Sequence, residues 1–177
     1  MKHNILPLLV VLFWACGARA ECQLVTSQQS VSFGALSAMD RQMAGGKAIT
    51  LPEKQILLNV MCDNAQRVRL FFGSSLPQGN DFALGAQGKM TFTAMKARVD
   101  DKDVLLAPVR SSHGAVTSPG ANTADIALNE GIAFVDGEEL SGKNISVAIA
   151  VNSQVKSQSI TDKVKYRGNL QVRLETE

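Results

Sequence analysis

The sequence predicts an all-β protein, a sandwich of short antiparallel strands. Short apolar segments recur along the chain and are separated by clusters of Gly, Pro, Asn, Asp and Ser, which is typical of such folds. Two segments, 145–151 and 164–174, alternate apolar and polar residues with a period of two. A helix would spread the same apolar residues around its whole circumference. No internal repeat or long linker is present, so we expect one domain at 21–177, after an N-terminal segment of different character.

The predicted strands are alternating segments or dense apolar runs. The first contains Gly34 as a bulge or bend, the second is almost purely apolar, and the last has Gly168 as the one gap in its apolar register. The strands are predicted at 23–36, 55–62, 67–72, 90–97, 104–109, 126–128, 132–135, 145–151 and 164–174. Asp63-Asn64 is predicted to turn the chain after the second strand. The segments 37–46, 74–89 and 110–123 have no clear periodicity and are predicted as loops.

Residues 1–20 have the three parts of a secretory signal peptide. Lys2 lies in a short basic start, an apolar run follows from Ile5 to Cys16, and Ala18-Arg19-Ala20 is a small-x-small cleavage pattern. The apolar run has about a dozen residues, fewer than the roughly 20 that span a bilayer. We therefore predict export. A membrane anchor and a lipid anchor on Cys16 are the alternatives, although the residues before Cys16 are bulkier than those of usual lipidation sites.

The composition after residue 20 restricts the function further. Loss of Lys2 and Arg19 lowers the 18 Lys and Arg to the number of Asp and Glu, which is 16. A formally neutral chain has no basic excess to neutralise phosphates, so we expect no nucleic-acid partner. Cys22 and Cys62 remain, and an even number of cysteines in an exported chain predicts a disulfide, with two free thiols as the alternative. Two Cys and one His are too few for an ordinary zinc site.

The sequence contains no recognisable catalytic or cofactor motif. His113 is the one histidine left after residue 20, and its Ser-Ser-His-Gly context predicts a loop residue in solvent. Asp100, Asp101 and Asp103 lack the glycine and the terminal glutamate of a calcium-binding loop, so a solvated turn is the preferred interpretation. We therefore predict no catalytic residues, no metal and no cofactor.

Several features at the two ends of the chain resemble chaperone–usher pilins of the type 1 fimbrial kind. Cys22 and Cys62 lie 40 residues apart, and Val31-Ser32-Phe33-Gly34 follows the first cysteine by about ten residues. The second cysteine closes an apolar strand. At the other end, 144–152 and 168–177 look like the last two strands of that family. The signal peptide and the missing catalytic apparatus agree with the resemblance.

The resemblance implies an incomplete immunoglobulin-like sandwich that lacks its final strand. A periplasmic chaperone, and later a neighbouring fimbrial subunit at the outer-membrane usher, would each supply a strand to the open groove. Cys22 and Cys62 would tie the first two strands together. The carboxylate of Glu177 would be anchored by basic residues of the chaperone. Val31 and Phe33 would lie on one side of the groove, with Leu170, Val172 and Leu174 in the final strand on the other.

The resemblance further implies an exported subunit that contributes to cell adhesion in a surface fimbrium, with a host receptor as an additional partner. Two features depart from the family pattern. Thr176 replaces the usual penultimate aromatic residue, and cleavage after Ala20 would leave only Glu21 before the first cysteine. The second departure leads us to expect a fibre-tip or atypical minor subunit that accepts a strand without donating one.

Two alternatives remain. One is a stand-alone secreted binding module, an adhesin or inhibitor that completes its own sandwich, for example with residues 110–123. The other is a secreted enzyme, which would have to bring Asp100, Asp103 or His113 together in one concave pocket.

Overall fold

The structure, a computed structural model, describes residues 21–27, 33–75, 77–85, 88–157 and 164–177. The predicted signal peptide and Val31 lie outside the described residues. The described chain forms strands and one short helix, which confirms the predicted all-β class. The elements are β1 (Cys22–Thr26), β2 (Ala35–Leu36), α1 (Ala38–Ala44), β3 (Ala48–Gly73), β4 (Pro77–Gln78), β5 (Asp81–Leu84), β6 (Gly88–Val99), β7 (Lys102–Asp103), β8 (Leu105–Val109), β9 (Thr123–Ile126), β10 (Gly131–Asp136), β11 (Glu138–Glu139), β12 (Ser141–Lys156), β13 (Val164–Lys165) and β14 (Gln171–Thr176).

One curled antiparallel sheet contains most of these strands, and the long β3 belongs to both of its halves. The first half has the order β1–β3–β12–β6, and β6 also pairs with β5, β7 and β9. The second half has the order β14–β3–β10–β8, with β11 also paired to β10. The strands β2 and β13 form a separate pair. The strand β3 continues from one half into the other, and the curl of the sheet makes the two halves face each other.

The hydrophobic core lies between the two halves of the sheet. Alternate residues of β3 face it, and Leu58 and Val60 in the first half are as buried as Leu70 and Phe72 in the second, all at most 2% exposed. Strand β12 adds Ile149, which is completely buried. Side chains of both halves belong to one apolar cluster, so burial of this shared surface holds the sheet in its curled form.

The turn predicted at Asp63-Asn64 is wrong, because β3 passes through both residues without reversing. The register between β3 and β12 shifts there: Asn144 is opposite Met61, but Gly142 is opposite Gln66. This irregularity bends the chain from one half of the sheet to the other. Pairing with β12 on both sides of the shift keeps the segment extended, and tertiary contacts thus override the local turn preference of Asp and Asn.

The disulfide is formed as predicted. Cys22 of β1 and Cys62 of β3 are directly opposite residues in the ladder, and their Cα atoms are 4.1 Å apart. The bond therefore ties the first strand to its neighbour, as the resemblance implies.

The segment 37–46 contains a helix, α1, where a loop was predicted. Ser37 accepts a hydrogen bond from the Asp40 N–H, the Asp40 carboxylate accepts from the Ser37 N–H, and Gly45 ends the helix in a left-handed conformation at φ 56°. These end signals are present in the sequence. The helix has no apolar face directed to the core and no buried residue, so the periodicity used to predict helices is missing.

Two further predictions need correction. The segment 74–89 is not a loop throughout, because β5 pairs with β6 and places Phe82 and Leu84 in the core. The strand predicted at 164–174 is interrupted between β13 and β14. Gly168 lies in this interruption and bridges to Leu84, where an added Cβ would come within 2.2 Å of the Met90 side chain. The gap in the apolar register thus marks a close approach of Gly168 to Met90, and a larger residue at this position would require the Met90 side chain to move.

We expect loss of the disulfide to lower the free energy of unfolding by about 4 kcal/mol, because it closes a loop of some 40 residues in the unfolded chain. Urea unfolding of the oxidised and reduced protein measures this difference. The Cys22→Ser/Cys62→Ser variant is the control, and reductant should not change its midpoint. Equal midpoints for oxidised and reduced wild-type protein would contradict the prediction.

Candidate functional site

The outer edge of β14 is open in the part of the chain that the structure describes. One side of β14 pairs with β3 from Gln171 to Thr176. The ladder extends by one pair, because the N–H of Glu177 and the N–H of Arg67 each donate to the other residue's carbonyl at 3.0 Å. No described strand pairs with the opposite side.

The ladder geometry determines which backbone groups point to this open edge. Residue pairs in an antiparallel ladder alternate between those that exchange both hydrogen bonds and those that exchange none. Since Arg67 and Glu177 exchange both, the pairs formed with β3 by Val172, Leu174 and Thr176 are the non-bonded ones. Their N–H and C=O groups therefore point away from β3. The other side of β3 agrees, because the Phe72 N–H donates to the Glu130 carbonyl next to β10.

The side chains beside the open edge are only partly covered. Val172 and Leu174 pack against the core cluster but are half-buried, whereas their partners across the ladder, Phe72 and Leu70, are 1% and 0% exposed. Burial therefore falls from complete on β3 to partial on the neighbouring β14, which shows that the core is incompletely covered at β14. An exposed edge with apolar side chains is a template for pairing with another strand.

Four of the predicted groove residues contact the same core. Phe33, Leu170, Val172 and Leu174 are all half-buried and pack against the main cluster. Val31, the fifth apolar residue predicted here, lies outside the described residues. The role of these residues in binding a strand stays a prediction.

The side chain of Glu177 lies in a small cluster of basic groups. Its Oε1 is 3.1 Å from His113 Nδ1, and its Oε2 is 4.0 Å from an Arg67 guanidinium nitrogen. The hydrogen bond with His113, followed by the positive charges of Arg69 and Arg67, lowers the pKa of this carboxyl below its usual value. Because the folded-state pKa is the lower one, this contribution to stability is present above the unfolded pKa and is lost as pH falls through the folded one. Glu177 thus anchors the end of β14 within the chain itself.

Arg69 forms a buried ion pair that sequence reasoning missed. Its guanidinium donates to both carboxylate oxygens of Glu139 at 2.7 and 2.6 Å, and both side chains are at most 9% exposed. The remaining Nη1 donates to the carbonyls of Ser111, Ser112 and Gly114. Arg69 therefore holds this segment over the outer face of the second half of the sheet.

The same outer face has a second, apolar contact. Phe71 and Val109 are buried there, and Val116 packs against them. The stretch from Arg110 to Gly120 therefore covers a face of the sheet and does not lie along the edge of β14. In the sequence, Phe71 could have indicated that a segment covers this face. It alternates with the core residues Leu70 and Phe72, so it lies on the outer face with Arg69, where an apolar residue needs cover.

The acidic residues of the predicted turn have structural partners. Asp100 accepts hydrogen bonds from the N–H groups of Lys143 and Asn144, at 3.0 and 2.8 Å. Asp101 and Asp103 form ion pairs with Arg98. His113 contacts Glu177 in the second half of the sheet, whereas Asp100 and Asp103 lie in the first half. The three residues that the enzyme hypothesis would bring together therefore have separate partners. Within the described ranges no group of three His, Cys, Asp or Glu side chains could hold a metal ion.

Comparison with known proteins gives similarity to one curated sequence and to solved structures. No family model matches the sequence. The chain is 28% identical over 180 residues to YhcE of Escherichia coli (strain K12), an uncharacterized protein, and the alignment covers 99% of each chain. Among solved structures, it is similar to the P pilus rod subunit PapA with 10% identity and a TM-score of 0.48, covering 88% of this chain and 99% of that chain. The described residues include no helix long and apolar enough to cross a membrane.

We expect Arg69→Met to lower the free energy of unfolding by about 3–5 kcal/mol, because it leaves the Glu139 carboxylate buried without its partner. Arg69→Met/Glu139→Leu should recover at least about 2 kcal/mol of this loss, since the uncompensated charge is gone. Urea unfolding measures both changes.

The matched control is Arg67→Met, two residues away on β3. Its side chain is 49% exposed and its contact with Glu177 is longer, so the expected change is within about 1 kcal/mol. An Arg69→Met variant as stable as the Arg67→Met variant would show that the buried pair contributes little.

Proposed function

We propose that this chain is an exported subunit of a chaperone–usher fimbria that accepts a β-strand from another protein along the outer edge of β14. The open edge carries the proposal: Val172, Leu174 and Thr176 direct unpaired N–H and C=O groups to a side where no described strand lies. Such groups and the half-covered Val172 and Leu174 side chains would both be satisfied by one added strand.

The chemistry of the incoming strand follows from the same geometry. It would exchange backbone hydrogen bonds with the three outward-facing residues of β14. Its inward side chains would be apolar and would pack against Val172 and Leu174 at alternate positions. In the proposed pathway a periplasmic chaperone supplies this strand first, and another subunit supplies it after transfer at the usher. Display in a surface fimbrium and a role in adhesion, with a host receptor, belong to the same proposal.

The stand-alone binding module receives less support. That hypothesis needs the chain to complete its own sandwich, and residues 110–123 were the candidate strand. Contacts of Arg69 and Phe71 hold the part from Ser111 to Val116 over the outer face of the sheet. Thr123 begins β9, which pairs with β6 in the other half. Neither part is available to pair with β14.

Proline substitutions in β14 test the proposal. Val172→Pro keeps an apolar side chain and removes an N–H that faces the open edge, so the ladder with β3 stays intact. We expect the variant to fold but to bind a co-expressed periplasmic chaperone at least about tenfold more weakly, because a hydrogen bond is lost and the ring obstructs the incoming strand. Co-purification of chaperone with the exported chain is the measurement.

The matched control is Arg173→Pro, the next residue in the same strand. Its N–H donates to β3, so this change should destabilise the chain itself. A folded Val172→Pro variant that captures chaperone as well as wild type would contradict the proposal.

A further inference from the structure

His113 joins two parts of the chain that are distant in sequence. Its Nδ1 lies 3.1 Å from Glu177 Oε1, and the two residues are 64 positions apart. The contact links the segment between β8 and β9 to the end of β14, the strand with the open edge. The histidine side chain is 88% exposed, and an exposed pair contributes little to overall stability. Its location therefore matters more than its strength.

The backbone on both sides of His113 is anchored. Arg69 Nη1 donates to the carbonyls of Ser112 and Gly114, which flank His113 in sequence. The guanidinium is itself held by both carboxylate oxygens of Glu139, and the Arg69 side chain is 6% exposed. A buried bidentate pair of this kind has a fixed geometry. The imidazole therefore projects from an anchored backbone, although His113 itself is exposed.

The covering segment, residues 110–120, reaches over two neighbouring strands. Val116 packs on Phe71 of β3, and the Phe71 ring also lies under the guanidinium of Arg173 of β14. His113 extends from the same segment to Glu177 at the end of β14. Two kinds of contact therefore hold β14, namely the backbone ladder with β3 along one edge and side-chain contacts on its outer face.

The peptide group between Thr176 and Glu177 lies where the ladder of β14 and β3 ends in the described chain. Its N–H, which belongs to Glu177, donates to the Arg67 carbonyl at 3.0 Å. Its carbonyl belongs to Thr176 and points the opposite way, to the open edge, because the N–H and C=O of a trans peptide are antiparallel. Ends of strands open more readily than their middles. The orientation of the Thr176 acceptor thus depends on whether Glu177 stays in the ladder.

Arg67 does not duplicate the contact of His113. Its guanidinium nitrogen lies 4.0 Å from Glu177 Oε2, so this contact is longer. Arg67 is also the residue that already pairs with Glu177 in the ladder. It therefore connects Glu177 only to β3, whereas His113 connects Glu177 to a second element that is anchored separately.

We propose that His113 is a positioning residue for strand acceptance. The contact between His113 and Glu177 acts as a latch that ties the end of β14 to the covering segment and keeps the Thr176 carbonyl directed to the open edge. This inference rests on the proposed function of that edge. Without the latch, the end of β14 opens while Val172 and Leu174 stay in place, and an incoming strand loses its hydrogen bond to Thr176.

Two substitutions of His113 test the latch in the free chain by amide hydrogen exchange. His113→Ala removes the contact, whereas His113→Asn places an amide N–H donor near the position of Nδ1. In His113→Ala the Glu177 amide should exchange about two- to fivefold faster, the Glu175 amide should change less, and the Arg173 amide should not change. His113→Asn should restore the wild-type rates. A uniform change along β14 would indicate a general loss of stability and would overturn the inference.

The matched control is Arg110→Ala, three residues away in the same segment. The Arg110 side chain is 91% exposed, and its ion pair with Glu130 does not involve β14. This variant should leave the exchange of the Glu177 amide unchanged. An equal acceleration in Arg110→Ala and His113→Ala would overturn the inference, because any change in the covering segment would then have the same effect.

The carboxyl of Glu177 reports the contact directly. The hydrogen bond with His113 is the main cause that lowers its pKa, followed by the charges of Arg69 and Arg67. The pKa should therefore rise toward its usual value in His113→Ala and stay lower in His113→Asn. Carbon-13 NMR of the side-chain carboxyl over a pH series measures both. An unchanged pKa in His113→Ala would show that the contact is absent in solution and would overturn the inference.

Co-purification with a co-expressed periplasmic chaperone measures strand acceptance itself. His113→Ala should retain about two- to fivefold less chaperone than wild type and Arg110→Ala, and His113→Asn should retain as much as wild type. Undiminished capture by His113→Ala would overturn the positioning role. A wild-type chain that captures no chaperone would instead overturn the proposed function, and with it the role of His113 in acceptance, while the exchange rates would still decide whether the latch exists.

Discussion

Backbone N–H and C=O groups that leave water need hydrogen-bond partners, and the end of this chain forms a strand that satisfies only one side of that requirement. The pairing of β14 with β3 directs every second residue, from Val172 to Thr176, toward the open side. Two of these residues, Val172 and Leu174, carry the apolar side chains that close the core at this border, and both remain half-buried. Backbone pairing and apolar cover are therefore both incomplete along one line, and a single added strand would complete both. The proposed function depends on this coincidence.

Contacts within the chain cover the outer face of the second half of the sheet. Arg69 and Glu139 form a bidentate buried pair, and the same guanidinium binds the carbonyls of the segment that covers the outer face. Arg173 of β14 lies over the ring of Phe71 at 5.3 Å and adds to that cover from the edge strand. At the end of β14, Glu177 contacts His113 of the covering segment. These contacts fix the position of β14 without its outer neighbour, so the open edge is held ready for pairing.

Local pattern predicted much of this arrangement. The alternation of apolar and polar residues predicted β12 and the inward-facing residues of β14, because this pattern depends only on neighbouring residues. The cysteine count predicted the disulfide, because it depends only on composition. The errors have nonlocal causes. Asp63-Asn64 stays extended because pairing with β12 on both sides of the register shift overrides a turn preference. Arg69 resembles a solvated residue in sequence, since its burial depends on carbonyls more than 40 residues away. The helix α1 has its capping signals in Ser37, Asp40 and Gly45, but no apolar stripe drew attention to them.

Amide hydrogen exchange of β14, followed by NMR in the chain freed of any partner, tests the central claim most directly. The account predicts alternation: the amides of Arg173 and Glu175, which donate to β3, should be protected, while those of Val172, Leu174 and Thr176 should exchange at least about 100-fold faster. Binding of a donor strand should then protect the fast set. Uniform protection along β14 in the free chain would mean that its outer edge is already paired, and would contradict the account.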